Sequence, residues 1–185
     1  MFKKLPLKQM LQIIKSHIFS TILIFILGMV SAGAIYGENS FLLGIFLIIS
    51  IIIYFGMMYS EAYIIAKRDT KKITVEEPYL LKGFLLPLGL TVLTVLFYLL
   101  YFFVWKYMMV GESFNLGAWL LNMIFIIWTY PFNPILGLSN GAMMWYGYII
   151  VVFAPVIFSG IGYIAGMKDF DITAKLSKYI YEKKD

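Results

Sequence analysis

Four long apolar stretches constrain the fold of this chain more than any other feature. They cover residues 16–36, 41–66, 83–105 and 141–167, and His17 and Glu61 are the only His, Asp, Glu, Lys or Arg residues within them. A helix of about 20 apolar residues crosses a hydrocarbon core of about 30 Å. The whole chain is 62% apolar and 14% charged, whereas soluble domains are about half apolar and a quarter charged. The sequence therefore predicts an all-α, polytopic membrane protein with four transmembrane helices and excludes a water-soluble fold.

A fifth apolar segment, residues 116–138, is harder to interpret. The part before its first proline, residues 116–130, would form a helix of about 22 Å, which is shorter than a hydrocarbon core of about 30 Å. Adding the residues that follow makes it long enough, but Pro131 and Pro134 break helices. Length alone leaves a full span, a re-entrant segment and an interfacial segment open.

The distribution of basic residues favours an even number of crossings. Lysines and arginines collect on cytoplasmic flanks, and here they form three groups: residues 3–15, residues 67–82 and residues 168–184, with Lys106 alone elsewhere. If all three groups are cytoplasmic, the chain crosses the membrane four times and both termini are inside. Residues 116–138 then form a re-entrant or interfacial element on the outer face.

The remaining segments of this single membrane domain follow from the same pattern. Residues 1–15 are predicted to form a cytoplasmic amphipathic lead-in, residues 67–82 a cytoplasmic loop and residues 168–185 a cytoplasmic amphipathic tail. Apolar residues at helical spacing, with lysines off that face, are typical of helices that lie on a membrane surface.

Tryptophan gives an independent indication of sidedness, because it prefers the headgroup level of a bilayer. The four tryptophans are Trp105, Trp119, Trp128 and Trp145. We expect all four to act as membrane-interface anchors in one belt on the outer side. A chain with five spans would divide them between two belts.

Glu61 is the only carboxylate within the four stretches and therefore the first candidate for a functional residue. At about 1.5 Å per residue it lies about 30 Å along the second helix, at the inner boundary of the membrane. A charge in hydrocarbon costs at least about 2.5–3.5 kcal/mol. We expect Glu61 to reach water, pair with Arg68, contact a partner subunit or serve an ion path. His17, at the start of the first stretch, is expected to lie at the membrane interface.

Further candidates for a solute path or a partner contact lie in the second half of the chain. Asn122 and Asn133 belong to the outer element, where polar, irregular backbone needs a covering of protein or a cavity. Pro155 interrupts the last helix and removes a backbone donor, and Ser159 follows one turn later. The outer element is interpreted either as a flat, packed loop or as a segment that lines a ligand path.

Small residues four apart allow helices to approach closely. Gly56 with Ser60, and Gly162 with Gly166, have this spacing. They predict tight packing within the bundle, and homodimerisation is the alternative.

Several function classes are not supported by any motif. The chain has no cysteine and one histidine, so neither a thiol nucleophile nor a cluster of metal ligands is expected. Nucleotide-binding and hydrolase motifs are missing. The basic residues flank apolar stretches instead of forming a patch for nucleic acid. We therefore expect no enzyme, no metal, no cofactor and no nucleic-acid partner.

Two short motifs carry a resemblance. They are residues 63–69, Tyr-Ile-Ile-Ala-Lys-Arg-Asp, and residues 160–166, Gly-Ile-Gly-Tyr-Ile-Ala-Gly. In these the chain resembles small polytopic membrane proteins of low-GC Gram-positive bacteria, a group without an assigned activity. The resemblance implies a bacterial plasma membrane and nothing catalytic.

The sequence predicts a non-enzymatic membrane subunit that packs against other membrane proteins, for example in a transporter complex. Its partners would be the lipid bilayer and either other subunits or further copies of itself. The alternatives are a small transporter or channel, which uses Glu61, Asn122 and the outer element, and a membrane immunity or stress protein.

Overall fold

The computed structural model describes residues 6–30, 40–71, 77–108, 116–132 and 145–170. The elements in chain order are α1 (Leu7–Val30), α2 (Ser40–Thr70), α3 (Lys82–Leu85), α4 (Leu88–Met108), α5 (Leu116–Thr129), a 3₁₀ turn (Tyr130–Phe132) and α6 (Trp145–Met167). These residues contain no β-strand. The predicted all-α fold is confirmed.

Four helical segments are long and apolar enough to cross a membrane. They are Leu7–Met29, Gly44–Thr70, Lys82–Phe103 and Gly147–Met167. Their outer surfaces expose large apolar side chains, among them Phe19, Ile52, Leu96 and Phe153. The prediction of four such helices is confirmed, and their exposed faces have the composition that lipid contact requires.

The first long helix begins earlier than the sequence predicts. Helix α1 runs without a break from Leu7, so the predicted lead-in and the predicted first span form one helix. The reason is tertiary packing: Ile13 is fully buried in the core, and Gln9 is also buried. At the other end of the chain, the predicted tail after residue 170 lies outside the described residues.

The third membrane-length segment consists of two helices joined at Leu86 and Pro87. Proline has no backbone N–H, so it cannot continue the hydrogen bonding of the preceding helix. The amide of Leu86 closes α3 on the carbonyl of Lys82 at 2.9 Å, and the amide of Thr91 bonds the carbonyl of Pro87 at 2.8 Å. Pro87 therefore separates the first turn, which carries Lys82, from the longer helix that follows.

Helices α2 and α6 form the most extensive contact in the structure. A Cβ added at Gly162 would overlap the backbone of Tyr59, and one added at Gly166 would overlap the backbone of Tyr63. Helix α3 enters the same contact, because Gly83 packs against Tyr163 and Gly160 packs against Phe84. Close backbone approach at these glycines holds the helices together in the way that small residues do in membrane bundles.

The four long segments alternate in direction. The start of α1, the end of α2, the start of α3 and the last turns of α6 meet at one end of the bundle, through the side chains of Gln9, Asp69, Lys82 and Tyr163. Helix α5 has 14 residues, about 21 Å, and packs with the 3₁₀ turn against α1, α2 and α4.

Helix α6 ends at Met167 in a capped C-terminus. Asp169 has φ 53°, and the amides of Asp169 and Phe170 bond the carbonyls of Gly166 and Ala165 at 3.3 and 2.9 Å. This is the hydrogen-bond pattern of a Schellman cap. The Asp169 carboxylate also pairs with Lys67 near the end of α2, which joins two helix ends at this end of the bundle.

Candidate functional sites in the bundle interior

A buried carboxylate joins four elements at one end of the bundle. Asp69 Oδ1 accepts a hydrogen bond from Gln9 Nε2 at 2.8 Å. Its Oδ2 lies 2.7 Å from Lys82 Nζ and accepts a second hydrogen bond, from the Tyr163 hydroxyl, at 2.8 Å. We refer to Gln9, Asp69, Lys82 and Tyr163 as the Asp69 cluster; all four are buried. The cluster links α1, α2, α3 and α6.

The local sequence explains why these groups meet. Asp69 lies in the last turn of α2, and Lys82 is the first residue of α3, whose amide bonds the carbonyl of Tyr79 at 3.0 Å. Each side chain of the ion pair is almost completely removed from solvent, with exposures of 1% for Lys82 and 0% for Asp69. Buried charges need a partner and additional hydrogen bonds to offset their lost hydration. Gln9 and Tyr163 supply those bonds.

A second polar group lies nearer the middle of the bundle. His17 Nδ1 is 2.7 Å from the hydroxyl of Tyr54, and the His17 ring lies against the indole of Trp128, with 4.5 Å between ring centroids. Trp128 Nε1 donates to Thr94 Oγ1 at 3.0 Å. We refer to His17, Tyr54, Thr94 and Trp128 as the His17 cluster. It joins α1, α2, α4 and α5.

The depth of the His17 cluster follows from positions along the helices. His17 is eight residues beyond Gln9 in α1, about 12 Å along the helix axis. Thr94 is twelve residues beyond Lys82, about 18 Å at helical rise. Both partners of Trp128 therefore lie well inside the bundle, and the C-terminal end of α5 reaches that level.

Some buried polar atoms near these clusters have no hydrogen-bond partner among the described residues. They include His17 Nε2, Ser50 Oγ, Ser159 Oγ and Gln9 Oε1. Buried polar atoms in native proteins are nearly always satisfied by protein or by ordered water. These positions are therefore the places in the interior where an additional hydrogen-bonding molecule has a reason to bind.

The candidates for a path or partner contact lie on three different helices in the described part of the chain, and no side-chain hydrogen bond or ion pair joins them there. Glu61 is half-buried on α2, away from both clusters, and Asn122 is half-buried on α5. Pro155 and Ser159 are buried in α6, and the helix continues through Pro155. Asn133 lies outside the described residues. Within the described part of the chain, neither ion pair involves Glu61, and Arg68 is exposed.

The two small-residue pairs lie in different environments. Gly162 and Gly166 face α2, where a Cβ would overlap backbone atoms. Gly56 has no other atom within 4 Å of the position that a Cβ would occupy, and Ser60 is exposed. Gly56 and Ser60 thus lie on the outer side of α2, outside the packing between α2 and α6.

The two tryptophans whose side chains the structure describes lie in different environments. Trp119 is exposed on α5, as an interface anchor would be. Trp128 is instead turned into the bundle, where its indole N–H bonds Thr94 and its ring contacts His17 and Phe97. The end of α5 is packed between other helices, so Trp128 is half-buried and not exposed like Trp119; its role as an interface anchor stays a prediction. The side chains of Trp105 and Trp145 lie outside the described part of the structure.

His17 is buried among the helices, and its expected position at the membrane interface stays a prediction. It is 2% exposed and bonded to Tyr54, not at the boundary of the bundle. The apolar stretch begins at residue 16, but the helix begins at Leu7, so the earlier turns place His17 two to three turns inside. Hydropathy alone does not reveal that the helix begins before Ser16, because lysines interrupt the apolar stretch there.

The Asp69 cluster is the feature that sequence reasoning missed. Lys82 counted only as a cytoplasmic flanking charge, and Asp69 and Tyr163 appeared only within the motifs of the resemblance. Lys82 and Tyr163 are 13 and 94 residues from Asp69 in the sequence, so no local pattern connects them. The available signal is that Asp69 and Lys82 are opposite charges at the ends of successive apolar stretches, where they can meet.

Neither cluster has the composition of a metal centre. The described residues contain no group of three or more His, Cys, Asp or Glu side chains that could hold a metal ion. The Asp69 cluster is an electrically neutral connection between helix ends. The His17 cluster contains imidazole, phenol, hydroxyl and indole groups that can bind an uncharged hydrogen-bonding molecule.

No protein-family model matches this chain, and the searches of curated proteins and of solved structures found no similar protein.

Proposed function

We propose that the protein is a non-enzymatic subunit of a membrane protein complex and that the outer face of α2 binds a helix of another membrane protein. The proposal depends on one observation: the exposed side of α2 combines small residues with a carboxylate that has no ion-pair partner among the described residues. In a bundle surrounded only by lipid, such a face would be purely apolar.

The outer face of α2 is a row of residues four apart. It consists of Gly44, Ile48, Ile52, Gly56, Ser60 and Ile64. Three isoleucines in this row are 60%, 62% and 41% exposed, and a Cβ added at Gly44 or Gly56 would meet no atom within 4 Å. Rows four apart are the ridges and grooves by which helices pack. The small side chains at Gly56 and Ser60 leave a gap in this row, and such a gap favours the close approach of a partner helix.

Glu61 strengthens the proposal because it lies beside this row. It is eight residues before Asp69, about 12 Å along the helix axis. A carboxylate at that depth is costly in hydrocarbon, and a basic or hydroxyl side chain of a partner helix would reduce the cost. The small residues and Glu61 together favour another protein over lipid as the neighbour of this face.

We further propose that the protein lies in a bacterial plasma membrane with both termini cytoplasmic. The end of the bundle that carries the Asp69 cluster would face the cytoplasm, because Lys67, Arg68, Lys71 and Lys168 lie there and basic residues collect on that side. Helix α5 and the 3₁₀ turn would then form a re-entrant segment from the outer side. This interpretation is supported by Trp128, near the end of α5, because it contacts His17 and Thr94 well inside the bundle.

Site-specific photo-crosslinking in host membranes tests the docking face. A photo-reactive phenylalanine analogue would be placed at Ile52, and the matched control would carry it at Leu96 of α4, which is exposed to 56% against 62% for Ile52. We expect one discrete adduct with a second protein from position 52 and none from position 96. An adduct of two copies of the 21.3 kDa chain would instead indicate a homo-oligomer. Equal results at both positions would refute the docking face.

Glu61→Gln tests the contribution of the carboxylate. This substitution keeps the size of the side chain and removes its charge, so it should weaken the crosslink at position 52 while leaving the fold intact. Co-purification in mild detergent, compared with the unchanged protein, provides the second measurement. An undiminished yield of partner would exclude an ionic role for Glu61.

A small transporter or channel is the second candidate, and the His17 cluster is the observation that favours it. Broken helices that end at mid-membrane, next to buried polar groups, are typical of transporter binding sites. Purified protein in liposomes would be assayed for proton flux with an internal pH dye and for glycerol and urea uptake by light scattering. Flux that His17→Phe abolishes would favour transport over the subunit role.

A further inference from the structure

Two buried polar atoms without a partner lie along the end of α5. His17 is 2% exposed and Ser50 is 1% exposed, yet neither His17 Nε2 nor Ser50 Oγ has a hydrogen-bond partner among the described residues. Leaving a buried donor or acceptor unsatisfied is costly. Two such atoms beside the same segment indicate that a molecule binds there and forms hydrogen bonds with one or both of them.

Contacts on either side of Ser50 show where its hydroxyl lies. Phe46, Ser50 and Tyr54 are four residues apart on one face of α2. Phe46 contacts the ring of Tyr130 at 6.3 Å, and Tyr54 contacts the ring of Phe132 at 5.1 Å between centroids. Ser50 therefore lies between these contacts, on the face that α2 turns toward the 3₁₀ turn.

His17 approaches the same region from α1. Its ring contacts Trp128, the residue two positions before the 3₁₀ turn, and its Nδ1 lies 2.7 Å from the Tyr54 hydroxyl. Whichever of these two groups donates, Nε2 is left for a further partner. The Tyr54 side chain thus connects the two unsatisfied positions: its hydroxyl meets His17, and its helix carries Ser50 one turn away.

The backbone between these side chains is irregular as well. Helix α5 ends at Thr129, and the 3₁₀ turn contains Pro131, which cannot donate a hydrogen bond. Pro131 and Phe132 are buried. Non-helical backbone within a membrane protein is tolerated where it is buried in protein or lines a polar cavity. The end of α5 meets that condition next to Ser50 and His17.

The chemistry of the surroundings selects an uncharged ligand. The charged side chains that are buried in the described residues are Asp69 and Lys82, and they neutralise each other in the Asp69 cluster. The His17 cluster offers hydroxyl, phenol, indole and imidazole groups only. The hydroxyl, phenol and imidazole groups can donate and accept hydrogen bonds, and the indole N–H donates only. None of them provides a counter-charge for an ion.

We propose that the end of α5, with α1 and α2, forms a binding position for a small uncharged hydroxyl compound or water, with His17 Nε2 and the Ser50 hydroxyl as its contacts. The site is independent of the docking face of α2 and goes beyond the proposed subunit function. Water and a small polyol share the required chemistry, and the experiment distinguishes them.

The single histidine makes the site directly observable. Labelling with ¹⁵N-histidine gives signals from His17 alone, because the chain contains one histidine. In liposomes, solid-state NMR with polarisation transfer from water would report whether water contacts the ring. We expect transfer to Nε2. A shift of the Nε2 signal on adding glycerol, with loss of the water transfer, would identify a polyol as the ligand; an unchanged signal would identify water.

Ser50→Ala separates a bound ligand from an unsatisfied hydroxyl. If the hydroxyl binds a ligand, the substitution should reduce the transfer to His17 and lower Tm by about 2–4 °C, the shift expected for one lost hydrogen bond in a chain of this size. If the hydroxyl is unsatisfied, its removal should raise Tm. Absence of water and glycerol effects at Nε2, together with a raised Tm, would overturn the proposal.

Ser20→Ala is the matched control. Ser20 lies one turn from His17 in α1 and is fully buried, but its hydroxyl already donates to the His17 carbonyl at 2.8 Å. We expect this substitution to leave the transfer to Nε2 intact. Equal effects of Ser20→Ala and Ser50→Ala on the transfer would attribute the change to general loosening and would contradict the assignment of Ser50. Photo-crosslinking at Ile52 remains unaffected by either result, so failure of this site and failure of the subunit role are distinguishable.

Discussion

Asp69 and Lys82 illustrate how a buried ion pair determines structure without adding much stability. Both charges lose their hydration when the bundle forms, and their attraction at 2.7 Å, with bonds from Gln9 and Tyr163, compensates for that loss. Pairs of this kind are often no more stabilising than apolar residues of similar volume. Their value lies in excluding other arrangements of the four elements that supply them.

We therefore expect Lys82→Met to destabilise the protein strongly. The substitution removes the buried ammonium group that pairs with the Asp69 carboxylate, and breaking a buried ion pair costs about 3–5 kcal/mol. The double variant Asp69→Asn/Lys82→Met should regain most of that loss, because no uncompensated charge remains. Unfolding by SDS in mixed micelles, followed by tryptophan fluorescence, measures both. Equal stabilities of the single and double variants would contradict the coupling.

The control for this prediction is the exposed pair of Lys67 and Asp169. Their side chains are 29% and 80% exposed, and exposed ion pairs contribute little. Lys67→Met should therefore change the unfolding transition only slightly. A loss as large as that of Lys82→Met would indicate that removal of any lysine at this end of the bundle destabilises the fold.

The interior polar residues could be predicted only in part from the sequence. Glu61 and His17 were recognisable because ionisable residues are rare in apolar stretches. The sequence does not reveal that His17 meets Tyr54, 37 positions away, or that Gln9 reaches Asp69 across 60 positions. Such contacts depend on how the helices rotate about their axes, which hydropathy does not determine when every face is apolar.

At the scale of elements, glycines decide how closely α2 and α6 pack. Gly162→Ala should destabilise the bundle by about 1–3 kcal/mol, since the added methyl group overlaps the Tyr59 backbone and overpacking costs about that much. The same SDS unfolding assay measures the effect. An unchanged transition would show that the helices can separate slightly without loss.

Gly56→Ala provides the matched control for Gly162→Ala. It makes the same chemical change in α2, but no atom lies within 4 Å of the new methyl group. We expect unchanged or slightly higher stability of the isolated protein, because alanine favours a helix by about 1 kcal/mol over glycine. If the docking face binds a partner, the same variant should weaken that complex.

The elements themselves were largely predictable, whereas their ends were not. Apolar length identified four membrane-length helices, because crossing a bilayer requires it. The sequence did not reveal that the predicted lead-in continues into the first span, since Lys8 and Lys15 lower the hydropathy of turns that nonetheless pack into the bundle. Pro131 correctly marked the end of α5, but nothing local indicated that Trp128 would face inward.

At the scale of the whole molecule, two features bear on how the chain crosses a membrane: the alternating directions of the long helices and the distribution of basic residues. The cluster of Gln9, Asp69, Lys82 and Tyr163 brings the start of α1 and the last turns of α6 to the same end. This arrangement is compatible with the even number of membrane crossings that we propose. Basic residues at that end then favour a cytoplasmic location for it.

Labelling of single cysteines tests this arrangement, and the chain has no cysteine of its own to interfere. Lys71→Cys and Lys168→Cys, both at exposed positions near the Asp69 cluster, should react with a membrane-impermeant maleimide only after the cells are permeabilised. Leu116→Cys, 60% exposed at the start of α5, should react in intact cells. If α5 crossed the membrane as a fifth span, Lys71 and Lys168 would lie on opposite sides and one of them would label in intact cells. Labelling of both lysine positions in intact cells, with protection of position 116, would keep the four spans and reverse their orientation.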